Sequence, residues 1–486
     1  MDLSAIVAKV SGWVSGPPLV VLCLGAGVLF SVWTRFLQIR HFKGMIRYLV
    51  KGKGSDKGLS TLQGFAMALG GRVGTGNIAG VATAIAMGGP GAMFWMWAIA
   101  FLGAGSAFIE GTLAQVWKEK RTGEYRGGPS YYIEHGLGMK WYAIIFAIAT
   151  VFSCGLLLPG IQSNSIAMAF ENGFSIPSWV SGAFVAVLLA LVIFGGARRI
   201  GKVAELVVPF MAIAYILMAI VVIIVDIRRV PEMISLIFSS AFGVHELFGG
   251  IFGSAIVWGV KRGIYSNEAG QGTAPQAAAA VEVAHPAQMG IVEAFGVYVD
   301  TLGVCTATGL MLLLTGQYNI DAPGGGFLAQ NLPGVEPGPH YTQAAIDTIA
   351  PGFGSAFVAI ALFFFAITTI MAYAYYAESN VAYLFRGNGR KAGITAIRVG
   401  LLVMVFFGTL HDAKMMWNIG DIGVGIMAWL NLIAILALGW VGVKVLRDYE
   451  RQRKAGGAIK FEPEKLGIKN TECWGKTAHD HSAPNE

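Results

Sequence analysis

Charged residues are scarce in this sequence of 486 residues, because Asp, Glu, Lys and Arg together make up only 13% of it. Soluble globular proteins carry nearer a quarter charged residues, whereas 55% of this chain is hydrophobic. This composition excludes a soluble fold for the chain as a whole and indicates an all-α polytopic membrane protein. The 66 glycines suit membrane helices that pack closely or are interrupted.

Cysteines are also few. Three of the four lie in apolar segments and Cys473 lies near the C-terminal end, a spacing that indicates neither a metal site nor a disulfide framework. The N-terminal region lacks the basic segment and the small-residue cleavage site of a signal peptide. We therefore interpret the first apolar run as a retained membrane helix.

Apolar runs long enough to cross a bilayer as helices predict about eleven membrane spans. They cover roughly residues 18–37, 61–87, 91–117, 141–165, 178–196, 203–227, 241–265, 290–316, 352–378, 394–410 and 418–442. With the N-terminus outside, the cytoplasmic segments hold 29 of the 35 Lys and Arg residues, including Lys261 and Arg262, and the external segments hold four.

Because Lys and Arg favour cytoplasmic loops, this asymmetry predicts an N-terminus outside and a C-terminus in the cytoplasm. The expected location is a bacterial-type inner membrane, with the lipid bilayer around the spans. The net charge of +7 then reflects topology, and we expect no nucleic-acid partner.

The spans divide the chain into four regions. Residues 1–60 form an extra N-terminal helix with a basic cytoplasmic segment, residues 61–227 and 241–442 form two sets of five spans, and residues 443–486 form a charged tail. We expect the tail to be partly disordered. The Gly- and Pro-rich loop 317–351 is expected to pack as a cap over the outer face.

Clustered glycines interrupt the span 61–87 at residues 70–77, together with an arginine, a threonine and an asparagine. Glycine readily leaves helical backbone angles, and the N–H and C=O groups so freed must be buried in protein or line a polar cavity. An interrupted helix at mid-membrane is typical of the binding site of a secondary transporter. Close helix packing through small residues is the alternative, but it requires no Arg, Thr or Asn at that depth.

A second glycine cluster with a hydroxyl occurs at residues 247–254, in the span 241–265. Each interrupted span opens a set of five. Because five is odd, the second set crosses the membrane in the opposite sense to the first. The pattern therefore predicts a 5+5 inverted repeat whose interrupted helices meet at the midplane.

Opened helix ends can bind both halves of a zwitterion, because their N–H groups suit a carboxylate and their C=O groups suit an ammonium group or Na⁺. The predicted carboxylate ligands are Gly74, Thr75 and Gly76, and Asn77 is a predicted Na⁺ ligand. The second interruption is predicted to complete the substrate pocket with Gly250, Phe252, Gly253 and Trp258. Ordinary core packing is an equal alternative for the two aromatic residues.

Further cation ligands are predicted at the adjacent hydroxyls of Thr368 and Thr369, although a hydroxyl can instead bond back to its own helix. Arg72 lies about 16 Å into its span at 1.5 Å per residue, so it needs a buried partner. Asp300 is the best candidate acid, either as a Na⁺ ligand or as the ion-pair partner of Arg72. Glu110 is expected to have a mostly structural role.

Four long motifs in this chain resemble the alanine/glycine:cation symporter family, also called sodium:alanine symporters. They are Gly-Thr-Gly-Asn-Ile-Ala-Gly-Val-Ala-Thr-Ala-Ile at 74–85, Gly-Gly-Pro-Gly-Ala-Met-Phe-Trp-Met-Trp at 88–97, Glu-Tyr-Arg-Gly-Gly-Pro-Ser-Tyr-Tyr at 124–132 and Gly-Ile-Tyr-Ser-Asn-Glu-Ala-Gly at 263–270. Gly-Thr-Gly-Asn is also similar to the first core helix of neurotransmitter:sodium symporters, and Thr368 with Thr369 is similar to the Na⁺-binding Thr/Ser pair of their eighth. The resemblance implies a LeuT-type fold with one extra N-terminal helix and import of alanine or glycine coupled to Na⁺.

The sequence therefore predicts a secondary active symporter that works by alternating access, with Na⁺ as coupling ion and no cofactor. A symporter for a larger neutral amino acid such as glutamine, coupled to Na⁺ or H⁺, is the first alternative, and an ion channel is a distant one. An enzyme is disfavoured because no catalytic set occurs within the spans. The sequence does not decide whether alanine or glycine is the substrate or which stereoisomer is preferred. It also leaves open the ion stoichiometry and the oligomeric state.

Overall fold

The structure is a computed structural model that describes residues 3–51, 58–121, 124–245, 247–385, 387 and 389–474. It is built mainly of helices, as the composition predicts. In chain order these are α1 (Leu3–Val14), α2 (Pro17–Trp33), α3 (Leu37–Arg40), α4 (Phe42–Lys51), α5 (Thr61–Arg72), α6 (Val81–Gly88), α7 (Gly91–Val116), α8 (Pro129–Leu137), α9 (Lys140–Phe152), α10 (Leu158–Phe174), α11 (Ser178–Ile193), α12 (Gly196–Val225), α13 (Val230–Ala241), α14 (Phe252–Asn267), α15 (Ala274–Ala279), α16 (Pro286–Val297), α17 (Thr306–Thr315), α18 (Pro339–Asp347), α19 (Phe353–Leu384), α20 (Gly389–Gly408) and α21 (Ala413–Ala455).

Wider helical turns and two small hairpins complete the regular structure. The π-helical segments are Gly76–Gly80, which leads into α6, Ser153–Leu157, which joins α9 to α10, and Tyr298–Cys305, which joins α16 to α17. Short 3₁₀ turns occur at Ile227–Arg229, Gly249–Ile251 and Pro463–Leu466. The antiparallel strand pairs are β1 (Glu119–Arg121) with β2 (Glu124–Arg126), and β3 (Asn319–Asp321) with β4 (Phe327–Gln330).

Eight helical segments of the described chain are long and apolar enough to cross a membrane. They are Ser4–Trp33, Gly91–Val116, Lys140–Phe174, Gly196–Val225, Pro286–Thr315, Phe353–Leu384, Gly389–Gly408 and Ala413–Ala455. The three other predicted spans correspond to helices that are interrupted or short. One of these is α11, with 16 residues, and the other two are the interrupted helices described next.

The first interruption lies where the glycine cluster predicts it. Helix α5 begins with a capping box in which Ser60 and Gln63 satisfy each other's backbone N–H groups, and it ends at Arg72. Val73 then adopts an extended conformation, and helical structure resumes at Gly76. The chain between these points carries the backbone groups that the sequence predicts to be free.

The second interruption lies elsewhere than predicted. Gly249 and Gly250 form part of a 3₁₀ turn, and Gly253 lies in the first turn of α14, so residues 247–254 precede the helix rather than break it. The helix stops at Asn267 and restarts as α15 after residues 268–273. Gly270 and Gly272 there have φ of +85° and +84°, which glycine alone adopts readily.

This shift also corrects the charge assignment. Because α14 continues to Asn267, Lys261 and Arg262 do not lie in a cytoplasmic loop. Arg262 is buried and both residues form ion pairs with Asp421 of α21. The prediction counted them as loop charges because charge counting cannot identify a partner 159 residues away.

Close helix crossings hold the bundle together, and α7 lies at several of them. A Cβ on Gly290 of α16 would come within 2.6 Å of the Phe108 carbonyl oxygen of α7. A Cβ on Gly27 of α2 would come within 2.8 Å of the Leu102 Cβ, again on α7. Small residues allow such backbone contact, which drives helix association where no water is present.

The C-terminal tail is folded over its described part, and its predicted partial disorder stays a prediction. Helix α21 continues to Ala455, and residues 456–474 fold back against the end of α7. The indole Nε1 of Trp117 donates to the Lys469 carbonyl oxygen at 3.0 Å, and that of Trp474 donates to the Gln115 carbonyl oxygen at 2.8 Å. These two indole hydrogen bonds hold the described part of a charged segment against the end of α7. Residues 475–486 of the predicted tail lie outside the described residues.

His285 joins this tail to the helices. Its Nδ1 accepts a hydrogen bond from the Ala287 backbone N–H at 3.3 Å and so caps α16, while its Nε2 lies 3.3 Å from the Asp448 carboxylate. The ring also packs against Phe461 of the tail. Burial lowers the pKa of His285 to about 4, more than the neighbouring Asp448 raises it. The neutral ring is the form that can accept at Nδ1.

The His285 pKa predicts a stability loss in acid. Because the folded pKa lies below the ordinary value of about 6.5, the stabilisation is full above pH 6.5 and is lost as pH falls from there toward about 4. We expect the melting temperature of the purified protein to fall across this window. The His285→Asn variant keeps a capping oxygen without a titrating group. Its melting temperature should therefore fall less steeply across this window. An identical slope in both proteins would contradict the assignment.

Candidate functional site

Side chains from other helices satisfy the backbone groups freed at the first interruption. The Gly74 N–H donates to Asn77 Oδ1 at 2.8 Å, and the Thr75 N–H donates to Gln162 Oε1 of α10 at 3.0 Å. The Thr75 hydroxyl is fully buried and has no hydrogen-bond partner among the described residues. The freed N–H groups of Gly74 and Thr75 thus lie with Asn77 and Gln162 at the first interruption.

Asn77 and Asp300, two of the predicted Na⁺ ligands, contact each other directly. Asn77 Nδ2 donates to Asp300 Oδ1 at 2.6 Å, while the hydroxyls of Ser266 and Thr301 donate to Oδ2 at 2.9 and 2.7 Å. Asp300 lies in a π-helical segment, a distortion found often at functional sites. Both interrupted helices and the α16–α17 helix thus meet at one carboxylate.

Arg72 forms its ion pair with Glu293 rather than with Asp300. Its Nη2 lies 2.6 Å from Glu293 Oε2, and Nη1 donates to the Glu293 carbonyl oxygen at 3.2 Å. Both side chains are only 1% exposed. Glu293 lies seven residues before Asp300, two turns away along the helix, so the sequence identified the right helix and the wrong acid.

The hydroxyl of Thr369 lies against the carbonyl oxygens at the end of α5. It is 2.8 Å from the Gly70 oxygen, 3.3 Å from the Val73 oxygen and 3.0 Å from the Phe365 oxygen of its own helix. The Thr368 hydroxyl bonds to Phe364 and Phe365 at 3.0 and 2.9 Å. The Thr369 hydroxyl and the Gly70 and Val73 carbonyl oxygens therefore lie together where α5 opens, whereas the Thr368 hydroxyl bonds back to its own helix. Oxygen ligands are those that a hard cation prefers.

Glu110 of α7 holds the second interruption. Its carboxylate accepts the Gly270 N–H at 2.8 Å and the Gly272 N–H at 2.9 Å, and Asn431 Nδ2 of α21 donates to it at 2.5 Å. The expected structural role of Glu110 is consistent with these contacts. Sequence reasoning missed its partners because the second interruption was placed elsewhere. A fully buried acid within an apolar span was the available signal.

An ion-pair cluster lies on α14 beyond the site, toward the beginning of that helix. Arg262 donates to both oxygens of the Asp421 carboxylate at 3.0 Å, and Lys261 Nζ is 2.7 Å from Oδ2. The Trp417 ring lies 4.1 Å from the Arg262 guanidinium carbon. The predicted pocket residue Trp258 belongs to this cluster, because its ring lies 5.2 Å from the same carbon.

The structure does not bring three other predicted pocket residues into the site. Gly250, Phe252 and Gly253 lie at the beginning of α14, and Phe252 is 38% exposed. Gly253 is thirteen residues before Ser266, about 20 Å along a helix. The substrate-binding role of these three residues stays a prediction. The second interruption was placed at these residues because a glycine cluster at a helix start resembles one at an interruption. Tyr265 and Gln162, whose side chains contact each other at 3.4 Å, lie beside Gly76 and Thr75 instead.

The family model of the sodium:alanine symporters matches residues 1–463 of the chain. The chain belongs to this family. A putative sodium/proton-dependent alanine carrier protein of Bacillus subtilis is 55% identical over 98% of each chain. A sodium/proton-dependent alanine carrier protein of Bacillus sp. strain PS3 is 51% identical over 88% of this chain and 97% of its own. A probable sodium/glutamine symporter of Bacillus subtilis is 40% identical over 94% of this chain and 93% of its own.

Family membership establishes a multi-pass membrane transporter and not an enzyme. Two of the four motifs that carry the resemblance contribute residues to the site. Gly76 and Asn77 lie in the first motif, and Tyr265, Ser266 and Glu268 lie in the last. The motif at 263–270 thus leads into the second interruption. This motif is the sequence signal that would have located the interruption.

Glu110→Gln should loosen the second interruption. The amide has one acceptor oxygen in place of two, so at least one of the N–H groups of Gly270 and Gly272 loses its buried partner, a loss of about 1–3 kcal/mol. Thermal unfolding of the purified variant measures the change. Glu205→Gln is the matched control, because Glu205 is half-buried and accepts one hydrogen bond, from Gln63 at 3.1 Å. Equal melting temperatures for the two variants would contradict the role of Glu110.

Proposed function

We propose that this chain is a symporter that imports alanine, with glycine as a second substrate, together with Na⁺. One observation carries the proposal: the two interrupted helices contact each other at their openings. A Cβ on Gly76 would lie 3.2 Å from Ser266 Cα and 3.1 Å from the Tyr265 ring. Freed backbone groups of both helices therefore lie around one small polar site, the arrangement by which this class of transporter binds substrate at the membrane midplane.

The finer architecture is part of the same proposal. Eight long apolar helices, the short α11 and two interrupted helices together fit eleven spans. Interruptions in the first span of each set of five support the division into residues 61–227 and 241–442, with residues 1–60 as an addition and residues 443–486 as the tail. The N-terminus is outside and the C-terminus is cytoplasmic in this arrangement.

A small zwitterion suits the site at Thr75. The Thr75 hydroxyl and the Thr75 N–H group, which Gln162 now accepts, are available to a carboxylate once Gln162 turns away. Tyr265 lies against Gly76 and limits the length of a side chain there. The relative named as a glutamine symporter favours a larger neutral amino acid as the second candidate substrate.

Two places suit Na⁺. One comprises the hydroxyls of Thr368 and Thr369 with the freed carbonyl oxygens at the end of α5, and the other is the Asp300 carboxylate beside Asn77. The family description and the relatives' names favour Na⁺. At Thr369 the cation would join α5 to α19, so its binding depends on the position of α5.

Contacts on both sides close the route to this site. On one side Arg262 and Asp421 pair beside Tyr265 and Trp417. On the other side the chain before α5 pairs with the chain after α15: the Leu59 N–H donates to the Ala280 carbonyl oxygen at 3.0 Å. Alternating access requires each set of contacts to open in turn while the other stays closed.

Uptake of labelled alanine into liposomes is the direct test. We expect labelled alanine to accumulate under an inward Na⁺ gradient and not without one. Glycine should compete with alanine, and the rate of uptake should saturate as the alanine concentration is raised. Accumulation of labelled glutamine alone would move the proposal to its second candidate. A steady current without saturable solute dependence would indicate a channel and overturn the symport proposal.

Thr369→Ala should weaken the Na⁺ dependence of uptake selectively. Loss of one ligand oxygen corresponds to about 1 kcal/mol, or about a fivefold rise in the half-saturating Na⁺ concentration. Thr369→Ser keeps the hydroxyl and is the matched control, expected to stay near the wild-type value. The proposal for this cation site fails if the alanine and serine variants show the same Na⁺ dependence.

A further inference from the structure

Glu268 is a buried acid for which the mechanism above gives no role. It lies in the second interruption, directly after α14, and is 1% exposed. Neither carboxylate oxygen has a hydrogen-bond partner among the described residues. By contrast, Glu110 accepts three hydrogen bonds and Asp300 accepts three. A buried carboxylate without partners is strongly disfavoured unless a cation or a proton neutralises it.

The backbone at Glu268 is also unusual. Five non-glycine residues of the described chain have φ between +53° and +58°, and only Glu268 among them is buried. This left-handed conformation costs free energy for a residue with a Cβ. Strain held at a buried polar position is typical of functional sites. The conformation places the side chain inside the protein, at the opening of the helix.

Other polar groups around Glu268 are unpartnered as well. The hydroxyl of Thr273 faces the carboxylate without a hydrogen bond of normal geometry, and the Tyr376 hydroxyl and both polar atoms of the Gln271 side chain also have no partner among the described residues. The titratable groups that face Glu268 come from every neighbouring element. They are Arg72 of α5, Cys154 of the α9–α10 helix, Tyr265 of α14, Glu293 and Asp300 of the α16–α17 helix, and Tyr373 and Tyr376 of α19.

The charges of this region do not balance. Arg72 is the one basic side chain among these neighbours, and its ion pair is with Glu293. The acids Asp300 and Glu268 then need two further positive charges when both are ionised. A Na⁺ ion at Asp300 supplies one of them in the proposed function. The negative charge of the Glu268 carboxylate then remains without compensation.

We propose that Glu268, with the Thr273 hydroxyl beside it, is a further cation site that takes up one monovalent cation, a proton or Na⁺. The cation enters from bulk water on one side of the membrane and returns to bulk water on the other, and no bond other than a carboxyl O–H forms if it is a proton. The inference rests on the proposed function because it assumes that cations reach this site. It is separate from the predicted Na⁺ ligands at Thr369 and Asp300.

The test uses the purified full chain without alanine, so its result does not depend on alanine transport. Glu268→Gln removes the charge and keeps the shape. We expect this variant to melt at a higher temperature than the wild type at low Na⁺ and high pH, because an uncompensated buried charge is removed. This difference in melting temperature should vanish as the concentration of the cation that occupies the site is raised.

A proton and Na⁺ are distinguished by varying the Na⁺ concentration and the pH independently, with choline replacing Na⁺. If Na⁺ occupies the site, Glu268→Gln loses part of the Na⁺-dependent stabilisation. If a proton does, it loses part of the pH-dependent stabilisation instead. Glu293→Gln is the matched control, because it leaves Arg72 unpaired and should lower the melting temperature under all conditions. A Glu268→Gln variant that behaves like Glu293→Gln overturns the proposal.

A second measurement decides the case if Glu268→Gln does not fold. Infrared difference spectra of the wild type between low and high cation concentration should contain a carboxyl band that shifts in Glu268→Asp. Spectra that are identical in these two proteins overturn the proposal. Failure of alanine uptake in liposomes, with either of these results positive, would instead count against the proposed substrate.

Discussion

Backbone groups opened inside a membrane must find partners within the protein, and most of this structure depends on that constraint. The N–H groups of Gly270 and Gly272 are held by Glu110, and that of Thr75 is held by Gln162. Both acceptors belong to continuous helices, α7 and α10. Each interruption is therefore stable because an uninterrupted neighbour supplies the missing acceptor.

The same reasoning applies to charge. Two buried arginines pair with acids on other helices, Arg72 with Glu293 and Arg262 with Asp421, and the partly buried Arg398 pairs with Glu378. An isolated charge in hydrocarbon is costly, and a pair is tolerated where its geometry is good. These pairs also fix how neighbouring helices align. An acid without such a partner, as at Glu268, is then a departure that calls for a cation.

Sequence reasoning located the first interruption, because clustered glycines are a local signal within a long apolar run. The role of Thr368 and Thr369 as Na⁺ ligands stays a prediction. Sequence reasoning misplaced the second interruption because glycine serves two purposes. At residues 249–253 it allows a turn before a helix, whereas Gly270 and Gly272 adopt positive φ within the opened segment. Composition alone does not distinguish these uses. The polar residues that accompany the later glycines were the better indicator.

Sequence reasoning was also limited because it could not identify interaction partners that are distant in sequence. Charge counting placed Arg262 in a loop because it could not detect Asp421, and depth alone could not choose between Glu293 and Asp300 for Arg72. The fold of the described part of the tail also depends on distant partners. Its composition is charged, but Phe461 and Trp474 find apolar and hydrogen-bonding partners on folded helices. Such partners exist only once the bundle has formed.

The geometry also explains why ion and substrate would depend on each other. The chain before α5 pairs with the chain that follows α15, so these two half-helices form one set of contacts at Leu59. The opposite end of α5 presents the Gly70 carbonyl oxygen to Thr369. A ligand biases a conformational equilibrium only through contacts that differ between the states. At the proposed Thr369 site a cation would make such a contact, because moving α5 away to open the Leu59 contacts would also withdraw Gly70 and Val73 from α19. In the proposed mechanism, loss of the cation would then favour the opening that releases the substrate, and the coupling would be reciprocal.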